Sequence, residues 1–168
     1  MLTETICLQP ASPGQQHRLT VLRFGTPGGP KATIQAALHA DEVPAMLVAQ
    51  QLRERLVALE AAGQLLGEVL LVPYANPLGL AQQLLGQNHG RFDLHDGVNF
   101  NRAFPALAEA SAKRVQGKLG DDSAGNRQLI REALRESVMA VQTQHAAQDL
   151  KRQLLRLAID SDVVLDLH

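Results

Sequence analysis

Residues 31–44 read "KATIQAALHADEVP". The first eight are mostly apolar and lack the polar alternation of a half-exposed strand, so they read as a strand covered on both faces. The run ends in His39-Ala40-Asp41-Glu42, and a helical pattern begins at once. Across 40–63, "ADEVPAMLVAQQLRERLVALEAAG", Val48, Leu52, Leu56 and Leu59 recur at helical spacing as one apolar stripe. Asp41 is the expected N-cap, Pro44 is tolerated because it falls in the first turn, and Gly63 ends the helix. A strand running through a short polar turn into an amphipathic helix is the unit of an α/β fold.

The remaining segments extend that unit. "TETICL" (3–8) and "RLTVLRF" (18–24) read as short strands joined by the Pro-Gly loop "QPASPGQQ", and "GEVLLVPYANP" (67–77) as another buried strand. A polar stretch follows, "GQNHGRFDLHDGVNFNRAFP" (86–105). A loop of that length within one domain is usually functional or disordered. From about Ser123 to Ile159 the helical period returns, with Ile130, Leu134, Val138 and Val141 on one face, as one long helix or two. "SDVVLDLH" (161–168) then reads as a further buried strand. Helices alternating with apolar strands predict a mostly parallel or mixed sheet flanked by helices, in one domain over residues 1–168.

Composition narrows the function. Of 168 residues, 45% are hydrophobic and 20% charged, and the net charge is −1, so no global field attracts nucleic acid or an anionic membrane. Aromatics are 3% with no tryptophan, which weighs against base stacking. Cys7 is the single cysteine, which excludes an intrachain disulfide and a cysteine-rich zinc site. No run approaches the ~20 apolar residues of a membrane span, and the start has no signal-peptide pattern. A cytoplasmic protein with a small-molecule partner is expected.

Two apolar strands end in residues that can hold a metal. One runs into His39 and Glu42, the other into Asp166 and His168. Ligands of open α/β sheets bind beyond the carboxyl ends of the strands, so parallel neighbours would bring His39, Glu42 and His168 together. Two histidines and a glutamate form a catalytic zinc set: three protein ligands, with a fourth position for water. Asp166 lies two residues before His168 on the same strand face, where its carboxylate can orient a ligand. His89 and His95 are rival ligands, read as exposed loop histidines. In the polar loop, Asn101-Arg102 sets an amide beside a guanidinium suited to a carboxylate, and Arg91 is placed to polarise a carbonyl or hold an oxyanion.

With HxxE at 39–42, an Asn-Arg pair followed by Phe104-Pro105, and a strand ending in Asp166-Leu167-His168, the chain resembles the succinylglutamate desuccinylase/aspartoacylase family, a branch of the carboxypeptidase A-like zinc hydrolases. The resemblance implies a zinc carboxypeptidase-like fold, one zinc ion on His39, Glu42 and His168, a substrate carboxylate on Asn101 and Arg102, and Arg91 at the scissile carbonyl. Asp41 replaces a frequent asparagine, and "NFNR" replaces the commoner "DLNR", departures that bear on the substrate more than on the metal. In that family the general-base glutamate follows the third ligand. The chain is therefore expected to be the N-terminal portion of a catalytic domain, incomplete at its C-terminus, inactive alone, and prone to self-association through an exposed sheet edge.

The expected activity of the parent protein is zinc-dependent hydrolysis of N-acyl amino acids or similar small amides. A zinc carboxypeptidase acting on peptides and a non-catalytic metal- or ligand-binding module are the alternatives.

Overall fold

Two antiparallel strands, β1 (Leu2–Cys7) and β2 (Arg18–Gly25), open a computed structural model that describes residues 1–168. They are followed by β3 (Lys31–Ala36), α1 (Val43–Ala61), β4 (Glu68–Val72) and the short α2 (Pro77–Ala81). The polar stretch contributes a two-residue ladder, β5 (Gln83–Leu84) with β6 (Gln87–Asn88), and a bridge between Phe92 and Asn99. Three helices, α3 (Ala108–Val115), α4 (Ser123–Met139) and α5 (Ala146–Ala158), lead to β7 (Val163–Leu167).

The main sheet has the order β1-β2-β4-β3-β7. β2 meets β4 antiparallel, while β3 runs parallel to both β4 and β7, so the sheet is mixed. The apolar runs follow from having both faces covered. Leu19 and Val21 of β2 and Leu70 and Val72 of β4 join Leu150, Leu154 and Leu157 of α5 in one cluster. Leu22, Phe24, Ala36 and Leu71 face the other way, against Ala45, Ala49 and Leu56 of α1. Successive strand residues alternate between the two clusters, as the pleat requires.

Several details differ from expectation. Ala45, Ala49 and Leu56 are the buried positions of α1, while Val48 and Leu59 are exposed. The small side chains let the helix axis approach the sheet, which turns the larger ones outward. Glu42, not Asp41, occupies the N-cap position and makes no side-chain cap bond. Both carboxylates are drawn instead to Arg91. Of the one helix or two expected over 123–159 there are two, broken at 140–145, but Ile130 of the expected apolar face is exposed. β7 is an edge strand rather than a buried one: Val163, Val164 and Leu165 are about half exposed, at 51%, 47% and 48%. α3 lies in a stretch where the sequence reading places no helix. No helix is long and apolar enough to cross a membrane.

What positions the site is the switch at β3. α1 carries the chain from β3 to β4 on one side, and α5 returns it to β7 on the other. The carboxyl ends of β3 and β7 then lie side by side, with Gln35 opposite Asp166 and Ala36 opposite Leu167. A crevice forms where the connections diverge.

Candidate metal centre

The turn after β3 is built before any functional side chain is placed. Ala37 is buried with φ of 59°, a left-handed conformation that strains a residue with a Cβ by about 1–3 kcal/mol. It is held there from several sides. Asn76 Nδ2 donates to Leu38 O at 2.9 Å, Ala75 N to Ala36 O at 2.8 Å, and Ala40 N to Gly90 O at 2.9 Å. Gly90 has no room for a side chain, since a Cβ there would sit 2.4 Å from Asp41 N and 2.6 Å from Ala40 C. The turn thus delivers His39 to the end of the sheet, with its side chain only 7% exposed.

His39, Glu42 and His168 come together, each offering a donor atom within 4.8 Å of the others. His39 Nδ1 lies 3.3 Å from Glu42 Oε1, and His168 Nδ1 lies 2.6 Å from Glu42 Oε2. The two rings are 5.3 Å apart between centroids, tilted by 57°. Ligand atoms in a tetrahedral zinc site, with bonds of about 2.0–2.1 Å, are about 3.3 Å apart, so the set is on the right scale.

The far nitrogens fix how each ring presents itself. His39 Nε2 lies 2.9 Å from Asn99 Oδ1, which also accepts from Asn101 N at 2.8 Å. An amide oxygen only accepts, so Nε2 carries the proton and Nδ1 keeps its lone pair toward Glu42. Arg91 Nη1 stands 3.2 Å from that nitrogen and donates to it. His168 Nε2 lies 3.1 Å from Asp166 Oδ2, a carboxylate that also accepts from Asn101 Nδ2 at 3.0 Å. Both histidines therefore have one nitrogen on Glu42 and the other on an oxygen acceptor, which is how ligating imidazoles are held. This donor set fits a divalent zinc-like ion.

Charges at the site are closely matched. Burial alone would push the Glu42 carboxyl up, but hydrogen bonds from His168 and Arg91 and the charge of His168 outweigh it and hold it below the usual range. Burial would likewise lower His168, yet hydrogen bonds to Glu42 and Asp166 and their charges raise it above the ordinary value. Arg91 bonds Glu42 Oε1 at 2.6 Å and lies 3.4 Å from Asp41, which keeps its guanidinium firmly protonated. Proton and guanidinium supply the positive charge that Glu42 demands in this geometry.

The loop residues separate into those near the metal set and those beside it. Arg91 is at the cluster, on Glu42 and His39. Asn101 spends its amide on Asp166 and lies 3.3 Å from His168 Nε2. Arg102 is exposed, and its only side-chain bond is to the Asn101 carbonyl at 2.7 Å, so its guanidinium faces outward next to the site. His89 and His95 lie outside the set and are exposed. Asn99 and Gly90 were not singled out from the sequence. The trace Asn99 leaves is "NFN": two amides two residues apart around Phe100, which is fully buried in the core.

Comparison with known proteins identifies the family. Residues 28–168 match the family model of the succinylglutamate desuccinylase/aspartoacylase catalytic domain. The chain belongs to that family. A protein assigned to the same family from Shewanella amazonensis has a solved structure that matches with 32% identity and a TM-score of 0.82, over 100% of this chain and 46% of that one. A second, from Shewanella frigidimarina, matches with 28% identity and a TM-score of 0.76, over 99% of this chain and 45% of that one. An aspartoacylase family protein from Mesorhizobium loti shares the fold at 24% identity and a TM-score of 0.56, over 99% of this chain and 40% of that one. The chain thus spans less than half the length of these relatives. A comparison with curated proteins finds no match.

Proposed function

We propose that these residues carry the metal-binding part of a zinc-dependent deacylase acting on N-acyl amino acids or similar small amides. The observation that supports it is the convergence of His39, Glu42 and His168, with each imidazole held at its far nitrogen by an oxygen acceptor. A zinc ion on those three groups would supply Lewis acidity toward a carbonyl oxygen and toward water.

The chain's own residues take the other roles. Asn99 keeps His39 in the tautomer whose Nδ1 faces Glu42, and Asp166 orients His168. Arg91, about 41% exposed, pairs with Glu42 through a contact that solvent screens, so its guanidinium is free to turn onto a substrate carbonyl and the oxyanion that develops there. Arg102 is the anchor for a substrate carboxylate, because its planar fork faces solvent beside the site with no competing acid. Asn101 completes that anchor and ties it to Asp166.

Within these residues the carboxylates at the site are engaged: Asp41 with Arg91, Glu42 with Arg91 and the histidines, and Asp166 with His168 and Asn101. None is free to take a proton from water. The chain alone is accordingly read as binding metal without turnover, with His168 held less firmly than His39 because it is far more exposed.

The test compares N-acyl amino acids with peptides as substrates of the full-length protein, before and after chelation. Hydrolysis of the N-acyl amino acids that stops on chelation and returns with zinc is expected. Chelator-resistant hydrolysis would exclude the metal role, and a preference for peptides would make the protein a carboxypeptidase.

A further inference from the structure

A second group of metal-capable side chains lies on the other side of the polar loop, and the chemistry above makes no use of it. Asp93 and Asp96 come from that loop, and His145 from the position just before α5. Their donor atoms lie within 4.8 Å of one another. We propose that Asp93, Asp96 and His145 form a second site, for a divalent transition metal, that clamps the loop to the start of α5.

The carboxylates are aimed before any ion arrives. His95 N donates to Asp93 Oδ1 at 3.1 Å, and Val98 N to Asp96 Oδ1 at 2.8 Å. Each acid therefore has one oxygen fixed by the loop backbone and turns the other toward the imidazole. Asp96 Oδ2 is 3.3 Å from His145 Nε2, and Asp93 Oδ2 is 3.9 Å from His145 Nδ1.

An independent observation points to a ligand. His145 Nδ1 is buried from solvent and has no hydrogen-bond partner. A buried imidazole nitrogen left without a partner is costly, and a metal ion would satisfy its lone pair. The cluster also borders a cavity of about 410 Å³ lined by His17, His95, Gln15 and Gln82 as well as by Asp93 and His145, which gives an ion a polar route of entry. The His95 ring stands 5.2 Å from that of His145 and is a further donor at the rim.

Charge and donor type indicate the class of ion. Two carboxylates face one buried ammonium, Lys151, whose Nζ donates to Asn99 O at 3.3 Å. The two acids outnumber that ammonium. Two carboxylate oxygens and one imidazole nitrogen suit manganese, cobalt or zinc better than the softer copper(I) or the all-oxygen preference of calcium.

The consequence for the first site is mechanical. The loop from Arg91 to Asn101 carries three residues of the His39 cluster. Fixing its middle at Asp93 and Asp96 to α5 restricts where Arg91 and Asn99 can go.

Equilibrium dialysis of the chain against Zn²⁺, followed by elemental analysis, reads the site directly. The double variant H39A/E42A removes the first cluster and is expected to retain about one ion per chain. Adding D96N or H145A should cut that by at least tenfold, and each should remove one ion per chain from the otherwise unaltered protein. Asp96 is exposed, and asparagine keeps the oxygen that accepts from Val98, so D96N should fold, with circular dichroism as the check. Zn²⁺ should also raise the melting temperature of H39A/E42A and leave H39A/E42A/D96N unmoved. No bound ion in a folded H39A/E42A, or an ion count that neither D96N nor H145A changes, would overturn the proposal.

Discussion

Replacing Asn99 with alanine removes one oxygen that accepts two hydrogen bonds, from His39 Nε2 at 2.9 Å and from Asn101 N at 2.8 Å. The first donor belongs to a ring whose side chain is only 7% exposed, so water cannot readily replace the lost acceptor. An orphaned buried donor costs about 1–3 kcal/mol, and a second, partly exposed bond about 0.5–1.5 kcal/mol. The expected loss of stability without metal is therefore about 1.5–4.5 kcal/mol. It should appear as a lower urea midpoint at unchanged slope.

The same substitution frees the His39 ring to rotate or change tautomer, so metal affinity should fall about 10–100-fold, the range for losing a partner of a ligating histidine. Competition with a chromophoric chelator at fixed pH measures it. Asn99→Asp is the control, since a carboxylate keeps the acceptor and makes the imidazole more basic. Affinity should then equal or exceed that of the unaltered protein. If alanine binds metal as tightly as asparagine, Asn99 does not hold His39 and the tautomer assignment fails. If aspartate is as damaging as alanine, the Asn99 contact is packing rather than hydrogen bonding.

Other expectations follow from the same contacts. Gly90→Ala forces a Cβ into the backbone of Ala40 and Asp41 and should destabilise by about 1–3 kcal/mol by overpacking, with weaker metal binding as the turn shifts; urea unfolding and chelator competition read both. Arg91→Gln removes a cation from Glu42, so metal affinity should stay equal or rise a few-fold while hydrolysis by the full-length protein falls; a parallel loss of both would make Arg91 structural. The stability of the metal-free chain should peak between the ordinary glutamate and histidine values. Glu42 is depressed, so its contribution is present above about pH 4.3 and lost as pH falls through its lower folded value. His168 is raised, so its contribution is full below about pH 6.5 and lost as pH rises through its higher folded value, and a flat urea midpoint from pH 3 to 9 would contradict both shifts. Finally, Val164 and Leu165 on the exposed β7 edge should drive concentration-dependent association that Val164→Lys reduces; light scattering showing a monomer at all concentrations would remove that edge from consideration.

The helix pattern of α1 was visible and so was half of its buried face: Leu52 and Leu56 lie against the sheet, whereas Val48 and Leu59 do not. Periodicity records which residues are apolar, whereas the approach of helix to sheet depends on which are small, and here Ala45 and Ala49 make the contact. The break between α4 and α5 was equally ambiguous, because Val138 and Val141 keep helical spacing up to it and Gln142, Thr143, Gln144 and His145 include no glycine or proline to mark a stop. The polar loop stands out in the sequence by its length, its polar composition and its Arg91 and Asn101-Arg102, yet its order comes from contacts distant in sequence. Gly90 lies against the turn after β3, and Lys151 on α5 holds the Asn99 carbonyl.

The sequence by itself determined the donor types and their order: His39 and Glu42 three residues apart at the end of one apolar run, and His168 at the end of another. That is local information, set by strand period and by the chemistry of imidazole and carboxylate. Only the tertiary structure decided that β3 and β7 are parallel neighbours in a register that brings those ends together. Pairing across more than 120 residues is fixed by which faces of the sheet α1 and α5 can cover, and no local pattern encodes it. The same holds for Asn99 and Asp166. Their amide and carboxylate become partners of His39 and His168 only once the loop has been folded against the sheet's carboxyl edge.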